Sequence, residues 1–365
     1  MKTPLGIVLL LLMAGILHAQ RPAPGIDPVP RIDRRPVMPD WRKAKSEPSV
    51  LRALRWLQKN QNADGSWGDA NKGAMTGFAL LCFLSHGETP NSNNDGYALA
   101  VNKAVFWITE NGAKFDGRLS MAPAFTQPGV YEHAICTYAL CEYYTMTKND
   151  RVAAVLTKAV GYILEGQGPN GGWMYAYDKS ADDLSVSGWQ IQALKAAKLT
   201  NLDIPGVWEA LNRTDKFLER MRGPKGGYGY RGPEDKYSLT GTGIFCQLIW
   251  RGERGVLREG MEWLLDETEK NWPVKYRGDQ ADLYAWYYHT RACLLFGGLA
   301  WTKWRMWLED EIMNAQNVDG GWPTPGGRAH GPQAGESMSG KVYRTALCTL
   351  MLSAQYRILP TLQGP

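Results

Sequence analysis

Two kinds of apolar segment alternate along the chain. In one kind the hydrophobic residues recur on a single helical face. Val50, Leu54 and Leu57 do so, with Arg52, Arg55 and Lys59 on the other side, and Glu259, Glu262 and Asp266 mark a similar charged face later. The other kind is apolar nearly all round. Gly77-Phe78-Ala79-Leu80, Glu132-His133-Ala134-Ile135, Gly188-Trp189-Gln190-Ile191 and Gly243-Ile244-Phe245-Cys246 belong to it, followed by segments around Tyr288-His289-Thr290 and Arg344-Thr345-Ala346. A helix with one apolar stripe lies in an outer layer, whereas one apolar on every side is enclosed by others.

The pattern predicts six helix pairs. The first opens near Ser46 as an N-cap, with Pro48 in its first turn, and its partner is Met75–His86. Ala98–Glu110 pairs with Tyr131–Thr147, Arg151–Gly166 with Val186–Leu199, and Pro205–Met221 with Thr240–Trp250. Gly255–Lys270 pairs with Leu283–Phe296, and Trp301–Asn314 with Lys341–Tyr356. The enclosed members recur about every 50 to 55 residues, the mark of a repeat architecture. The fold this implies is an all-α, closed (α/α)6 toroid over residues 46–360. An open solenoid is the alternative, but it needs polar capping repeats, and the terminal pairs here are not unusually polar.

A short phrase follows several of the outer segments. Gln61, Gly65 and Trp67 share a Gln-x-x-x-Gly-x-Trp spacing with Gln167, Gly171 and Trp173 and with Gln316, Gly320 and Trp322. Arg222-x-x-x-Gly226-Gly227-Tyr228 is a degenerate fourth copy. The Gln amide can bridge one helix end to neighbouring backbone, the Gly permits a conformation barred to other residues, and the Trp covers the joint. These residues are expected to be scaffold.

Composition changes this picture little. The 365 residues are 44% hydrophobic, with 15 Trp and 17 Tyr, so a large core is available. The net charge of +5 is mild, and part of it lies before Lys45. No basic stripe interleaved with stacking aromatics suggests nucleic acid. Residues 1–19 have the pattern of an export signal: Lys2, the apolar run Ile7 to Met13, and small-residue cleavage near Ala19. That run is too short to span a bilayer, which takes about 20 apolar residues, so a secreted or periplasmic protein is expected. Residues 20–45 form a Pro-rich tether, and 361–365 a short tail. Cys82, Cys136, Cys141, Cys246, Cys293 and Cys348 all lie in apolar helical stretches and are expected as buried thiols, although neighbouring helices could bring one pair into bonding range.

The Gln-x-x-x-Gly-x-Trp turns resemble the QW motifs of squalene-hopene and oxidosqualene cyclases. The count of six pairs resembles the toroid of protein prenyltransferase β subunits. The resemblance implies a central cavity for an isoprenoid or other apolar ligand and, in a cyclase, a strong acid supplied by an Asp-x-Asp-Asp sequence. This chain has Ser180-Ala181-Asp182-Asp183, which leaves Asp182 and Asp183 as acid candidates for an isomerising cyclisation. The competing role is that Asp183, Ser185 or Ser187 caps the following helix. A full triterpene cyclase resembles two such barrels in tandem, and this chain holds one. Trp286-Tyr287-Tyr288-His289-Thr290 is similar to the segment carrying the zinc-binding His of prenyltransferases. Their Asp and Cys ligands are missing after Gly226–Arg231, so no metal or other cofactor is expected.

Three further groups carry candidate chemistry. Glu132 and His133 offer an acid–base pair if His289 lies beside them. Tyr131, Trp189, Tyr284, Trp286, Tyr287 and Tyr288 are candidates to line a cavity. Glu132 with an aspartate would suit a carbohydrate-active toroid. A different class of reading is a non-catalytic scaffold that holds a protein partner.

Overall fold

The computed structural model describes residues 40–121, 126–326 and 335–363. The expected export signal, the tether up to residue 39 and the last two residues lie outside the described residues. The described chain is all-helical, without a strand, and carries twelve α-helices. They are α1 (Glu47–Lys59), α2 (Lys72–Ser85), α3 (Asp95–Lys114), α4 (Gln127–Thr147), α5 (Ala153–Gly166) and α6 (Leu184–Leu199). Then come α7 (Val207–Arg220), α8 (Tyr237–Trp250), α9 (Arg258–Lys270), α10 (Leu283–Phe296), α11 (Gly298–Ala315) and α12 (Met338–Ser353). The even-numbered helices form an inner ring in which each packs on the next and α12 packs back on α2. The odd-numbered helices surround them. The architecture is a closed (α/α)6 toroid, with the two apolar patterns sorted into its two layers.

Most inner helices start earlier than their apolar pattern does. The first turns of α2, α4, α8 and α12 mix polar residues or glycine with apolar ones (Lys72-Gly73-Ala74-Met75 in α2), which breaks the apolar run from which a start is read. Side chains of Thr126, Asp183, Asp282 and Ser337 cap α4, α6, α10 and α12. Ser46 does not cap α1. Its backbone is already helical and its hydroxyl turns to the Leu352 carbonyl and Tyr356.

The four recurrent turns share one backbone geometry. In each, the residue after the leading Gln or Arg donates its N–H to the carbonyl four residues on, at 2.8–2.9 Å (Asn62, Gly168, Gly223 and Asn317). In the three Gln copies the amide Nε2 donates to the glycine carbonyl of its own turn and to the next outer helix. The acceptors there are Ala100 of α3 (3.0 Å), Ala210 of α7 (2.9 Å) and Ser49 of α1 (3.0 Å). The Trp indoles donate back to Leu57, Ile163 and Ile312, each at 2.8 Å. Gly65, Gly171 and Gly320 have φ of 93°, 91° and 100°. A Cβ there would also collide with the Lys103, Arg213 or Arg52 backbone, so both conformation and close approach require glycine. The Arg222 copy keeps the turn but replaces the amide bridge with an ion pair to Glu259 of α9 (3.6 Å). The last Gln turn bonds to α1, tying the end of the chain to its beginning.

The other end of the ring is shut. After α12, residues 354–363 run across the ring to α4 and α6, placing Tyr356, Leu359, Thr361 and Leu362 in the core. All six cysteines are free thiols and buried. Among the described residues no helix is long and apolar enough to cross a membrane.

Candidate functional site

All six inner helices begin at one end of the ring, and their first turns enclose a cavity of about 740 Å³. Its lining is layered along the helix axes. The outermost positions mix polar side chains (Asn71, Gln127, Ser185, Lys236, Ser238 and Asp282) with apolar ones (Ala74, Met75, Pro128 and Leu239). One or two turns deeper lie Phe78, Ile135, Trp189 and Tyr343. Phe78 meets Trp189 edge-on at 5.3 Å and Tyr343 at 5.6 Å between ring centres. Trp189 stacks on Tyr287 at 5.4 Å, so Tyr287 and its neighbour Tyr288 lie beneath the cavity floor rather than on its surface. Such a cavity size and mixture of aromatic wall with a few polar groups are usual for small-molecule sites.

One wall is a cluster of hydroxyls. Tyr131 and Ser185 share a 2.8 Å hydrogen bond, and Tyr175 and Tyr230 one of 2.6 Å. Burial pushes the phenol of Tyr230 up to about 12 and raises those of Tyr131, Tyr284 and Tyr343, so these are neutral hydroxyls. Arg231 lies 5.6 Å from the Tyr230 ring centre and Lys236 lies 5.7 Å from it, which places two cations at this rim.

The candidate acids part company. Asp183 is fully buried at the start of α6. Its Oδ1 accepts from the amides of Ser185 (2.9 Å) and Val186 (3.3 Å) and from the Ser185 hydroxyl (2.6 Å). Its Oδ2 faces Arg231 at 3.5 Å. Asp182 turns the other way, to Arg220 at 3.2 Å. Neither lines the cavity. Glu132 does: its carboxylate accepts from the amides of Gly73 and Met121 (3.1 Å each) and from Ser120 (3.3 Å). Burial raises its pKa, and the amide hydrogen bonds only partly offset this. Asp282 opens on the same cavity from α10, which stands opposite α4 in the ring, while its Oδ1 caps the Ala285 amide at 3.1 Å.

The histidines do not join them. His133 points outward, accepting from the Leu119 amide at its Nδ1 (3.0 Å) and donating from Nε2 to the Ala159 carbonyl (2.8 Å). His289 faces outward too, donating to the Tyr237 carbonyl (2.9 Å) and packing on Trp304. Burial lowers both to about 4, which keeps them neutral. One residue step turns a helix by about 100°, so Glu132 and Tyr288 face inward while their successors do not. Tyr131, Trp189 and Tyr284 line the cavity, whereas Trp286 is buried outside its lining. Sequence reasoning passed over Phe78, Tyr175, Tyr230, Lys236, Ser238, Asp282 and Tyr343. Their common signal is position within the first two turns of an enclosed helix or in the loop just before one. Among the described residues no cluster of His, Cys, Asp and Glu is arranged to hold a metal ion.

Neither a family model nor a curated protein matches the sequence. Solved structures do match the fold. The GH76A α-1,6-mannanase from Salegentibacter sp. HEL1_6 superposes with a TM-score of 0.60 at 10% identity, covering 85% of this chain and 99% of that one. The type II terpene cyclase MstE from Scytonema gives 0.57 at 13% identity, covering 86% and 98%. The unsaturated glucuronyl hydrolase from Bacillus sp. GL1 gives 0.57 at 12%, covering 82% and 95%. At such identities the likeness establishes a shared toroid.

Proposed function

We propose that the mouth cavity binds an elongated, largely apolar molecule of the isoprenoid class, with its polar end at the rim. The observation that carries this is the lining: its deeper part is aromatic and aliphatic (Phe78, Ile135, Trp189 and Tyr343), and most of its polar side chains stand at the rim. A ligand with an apolar body and one polar end matches both layers without leaving a buried polar group unpaired. The fold likeness to a terpene cyclase is consistent with it. Cyclisation through Asp182 and Asp183 has less support, because the cap and the ion pair already occupy those carboxylates. If protonation takes place in this cavity, two carboxyls open on it, Glu132 and Asp282, and burial favours the protonated form of Glu132.

Mass spectrometry of organic extracts, before and after incubation of the purified protein with squalene and shorter polyprenyl compounds, tests the reading. A lipid that returns unchanged and is lost from Trp189→Ala supports a binding protein. A product of the same mass would establish a cyclase. Asp183→Asn against Glu132→Gln then locates its acid, since Asn caps a helix about as well as Asp. Empty extracts in both arms would sink the proposal and favour the scaffold role.

A glycan-acting reading has its own supporting observation, the carboxyls of Glu132 and Asp282 on opposite helices of one cavity. Two of the similar structures are glycan hydrolases, and one variant of the mannanase is inactive with two successive aspartates replaced. Release of reducing ends from mannan or uronic-acid oligosaccharides, abolished in both Glu132→Gln and Asp282→Asn, would support it.

A further inference from the structure

Below the aromatic floor the ring holds a cation. Arg291 lies on α10 one turn past Tyr287, with 1% of its surface exposed. Its guanidinium carbon lies 4.3 Å from the Tyr287 ring centre, 5.7 Å from that of Phe245 and 5.8 Å from that of Tyr138. Nη1 donates to the Tyr138 hydroxyl (3.0 Å) and to Gln192 Oε1 (3.2 Å). Nε and Nη2 have no hydrogen-bond partner among the described residues. These two nitrogens share one edge of the planar group, the edge whose parallel N–H bonds match the two oxygens of a carboxylate.

The neighbouring groups do not supply that anion. Gln192 is committed: its Oε1 also accepts from Tyr287 (3.3 Å), and its Nε2 donates to Tyr288 (2.9 Å) and to the Gly188 carbonyl (3.1 Å). Glu142 is the nearby carboxyl. Its Oε1 takes the Thr361 amide (3.3 Å) and hydroxyl, and its Oε2 has no partner among the described residues. Glu142 interacts with the guanidinium at a distance but forms no hydrogen bond or ion pair with it among the described residues, so it leaves the Nε–Nη2 edge uncovered. An arginine stays charged at any such pH, and a buried ion is costly unless it is both paired and hydrogen-bonded.

We propose that the Nε–Nη2 edge of Arg291 is a buried oxyanion site that takes a carboxylate side-on. Tyr138, Gln192 and Tyr287 hold the guanidinium in place. The site lies deeper than the mouth cavity and does not depend on what that cavity binds. The carboxylate can be a free small ion or the end of a longer molecule that reaches past the aromatic floor.

The test is thermal unfolding of the whole protein in formate or octanoate, against chloride at equal ionic strength. Saturable stabilisation by formate is expected for a free small ion, and by octanoate alone for the end of a longer chain. Arg291→Lys keeps the charge but loses the fork and should raise the half-saturating concentration at least tenfold. Glu142→Gln removes the competing charge and should lower it several-fold. Stabilisation by neither carboxylate overturns the proposal, as does a half-saturating concentration unchanged in Arg291→Lys. Should that variant fail to fold, an unchanged half-saturation in Glu142→Gln decides against the site.

Discussion

The two ends of the inner ring are built from the same six helices to opposite purposes. At the end where these helices begin, the connections are long, such as residues 167–183 and 221–236, and side chains from both line the open cavity. At the end where they finish, the connections shrink to residues 200–206 or to Gly297 alone, and the C-terminal segment closes the bore. Titratable groups follow the same division. At the mouth, phenols and carboxylates meet the cavity. At the closed end, Arg291 is linked through Tyr138 and Thr361 to Glu142, and His86 is clasped between Glu47 and Glu88 at 2.9 Å each. The recurrent turns lie in the mouth connections, so that end is pinned between neighbouring outer helices by its turns while the other is held by the C-terminal segment.

The hardest blow to this division would fall on the turns. Trp322→Ala removes a buried indole at the ring's closure and should cost about 3–5 kcal/mol in denaturant unfolding. Exposed Val318→Ala in the same turn should cost nothing measurable. An equal loss from both would deny the turn its role.

Next in size is the titration of the closed end. Glu142 has a folded-state pKa raised from 4.5 to about 7. Between those values the folded chain binds more protons than the unfolded one, so stability falls as pH rises through this window, by up to about 3 kcal/mol. His86 adds the same sign at higher pH. Burial works against its protonation, but the hydrogen bonds to Glu88 and Glu47 outweigh it, so its contribution fades as pH passes its raised pKa. Unfolding free energies from pH 4.5 to 7.5 should therefore slope downward, and Glu142→Gln should flatten the lower part. A slope unchanged in that variant would place the titration elsewhere.

Thr361→Val should cost about 1–3 kcal/mol, because it strips hydrogen bonds from buried Glu142 and Tyr138. Ligand affinity at the mouth should not change. The smallest effect is expected from Asp183→Ala, about 0.5–2 kcal/mol for a lost helix cap. Asp183→Asn should be close to neutral in stability.

The toroid was legible because enclosed and half-enclosed helices differ in composition, and α10 is bounded as its pattern predicts. The site was only half legible. Its aromatics Tyr131, Trp189 and Tyr284 stood out, but the pattern of a helix apolar all round does not say which side faces the bore. His289 and Tyr288 are neighbours in sequence and face opposite ways. Asp183 fits a cap motif and an acid motif that has Ser180 at its first position, and the cap on α6 is the role its hydrogen bonds show. Arg291 follows His289 and Thr290 in an apolar helix. A lone charge in such surroundings was the available signal, and no motif drew attention to it.

The bond from Gln316 to Ser49 spans 267 residues of chain. A growing polypeptide therefore cannot complete its first outer helix's surroundings until its last helix pair has emerged, and early segments must wait with an unfinished edge. Contacts this distant in sequence slow folding, because the chain entropy is lost before the contact forms. The same adjacency makes the order of the segments negotiable. A permuted chain that joins residue 363 to residue 46 through a flexible linker long enough to return from α4 and α6 to α1, and opens instead between α6 and α7, keeps every helix pair while making the closing contact a nearer one in sequence. It should refold faster than the natural order.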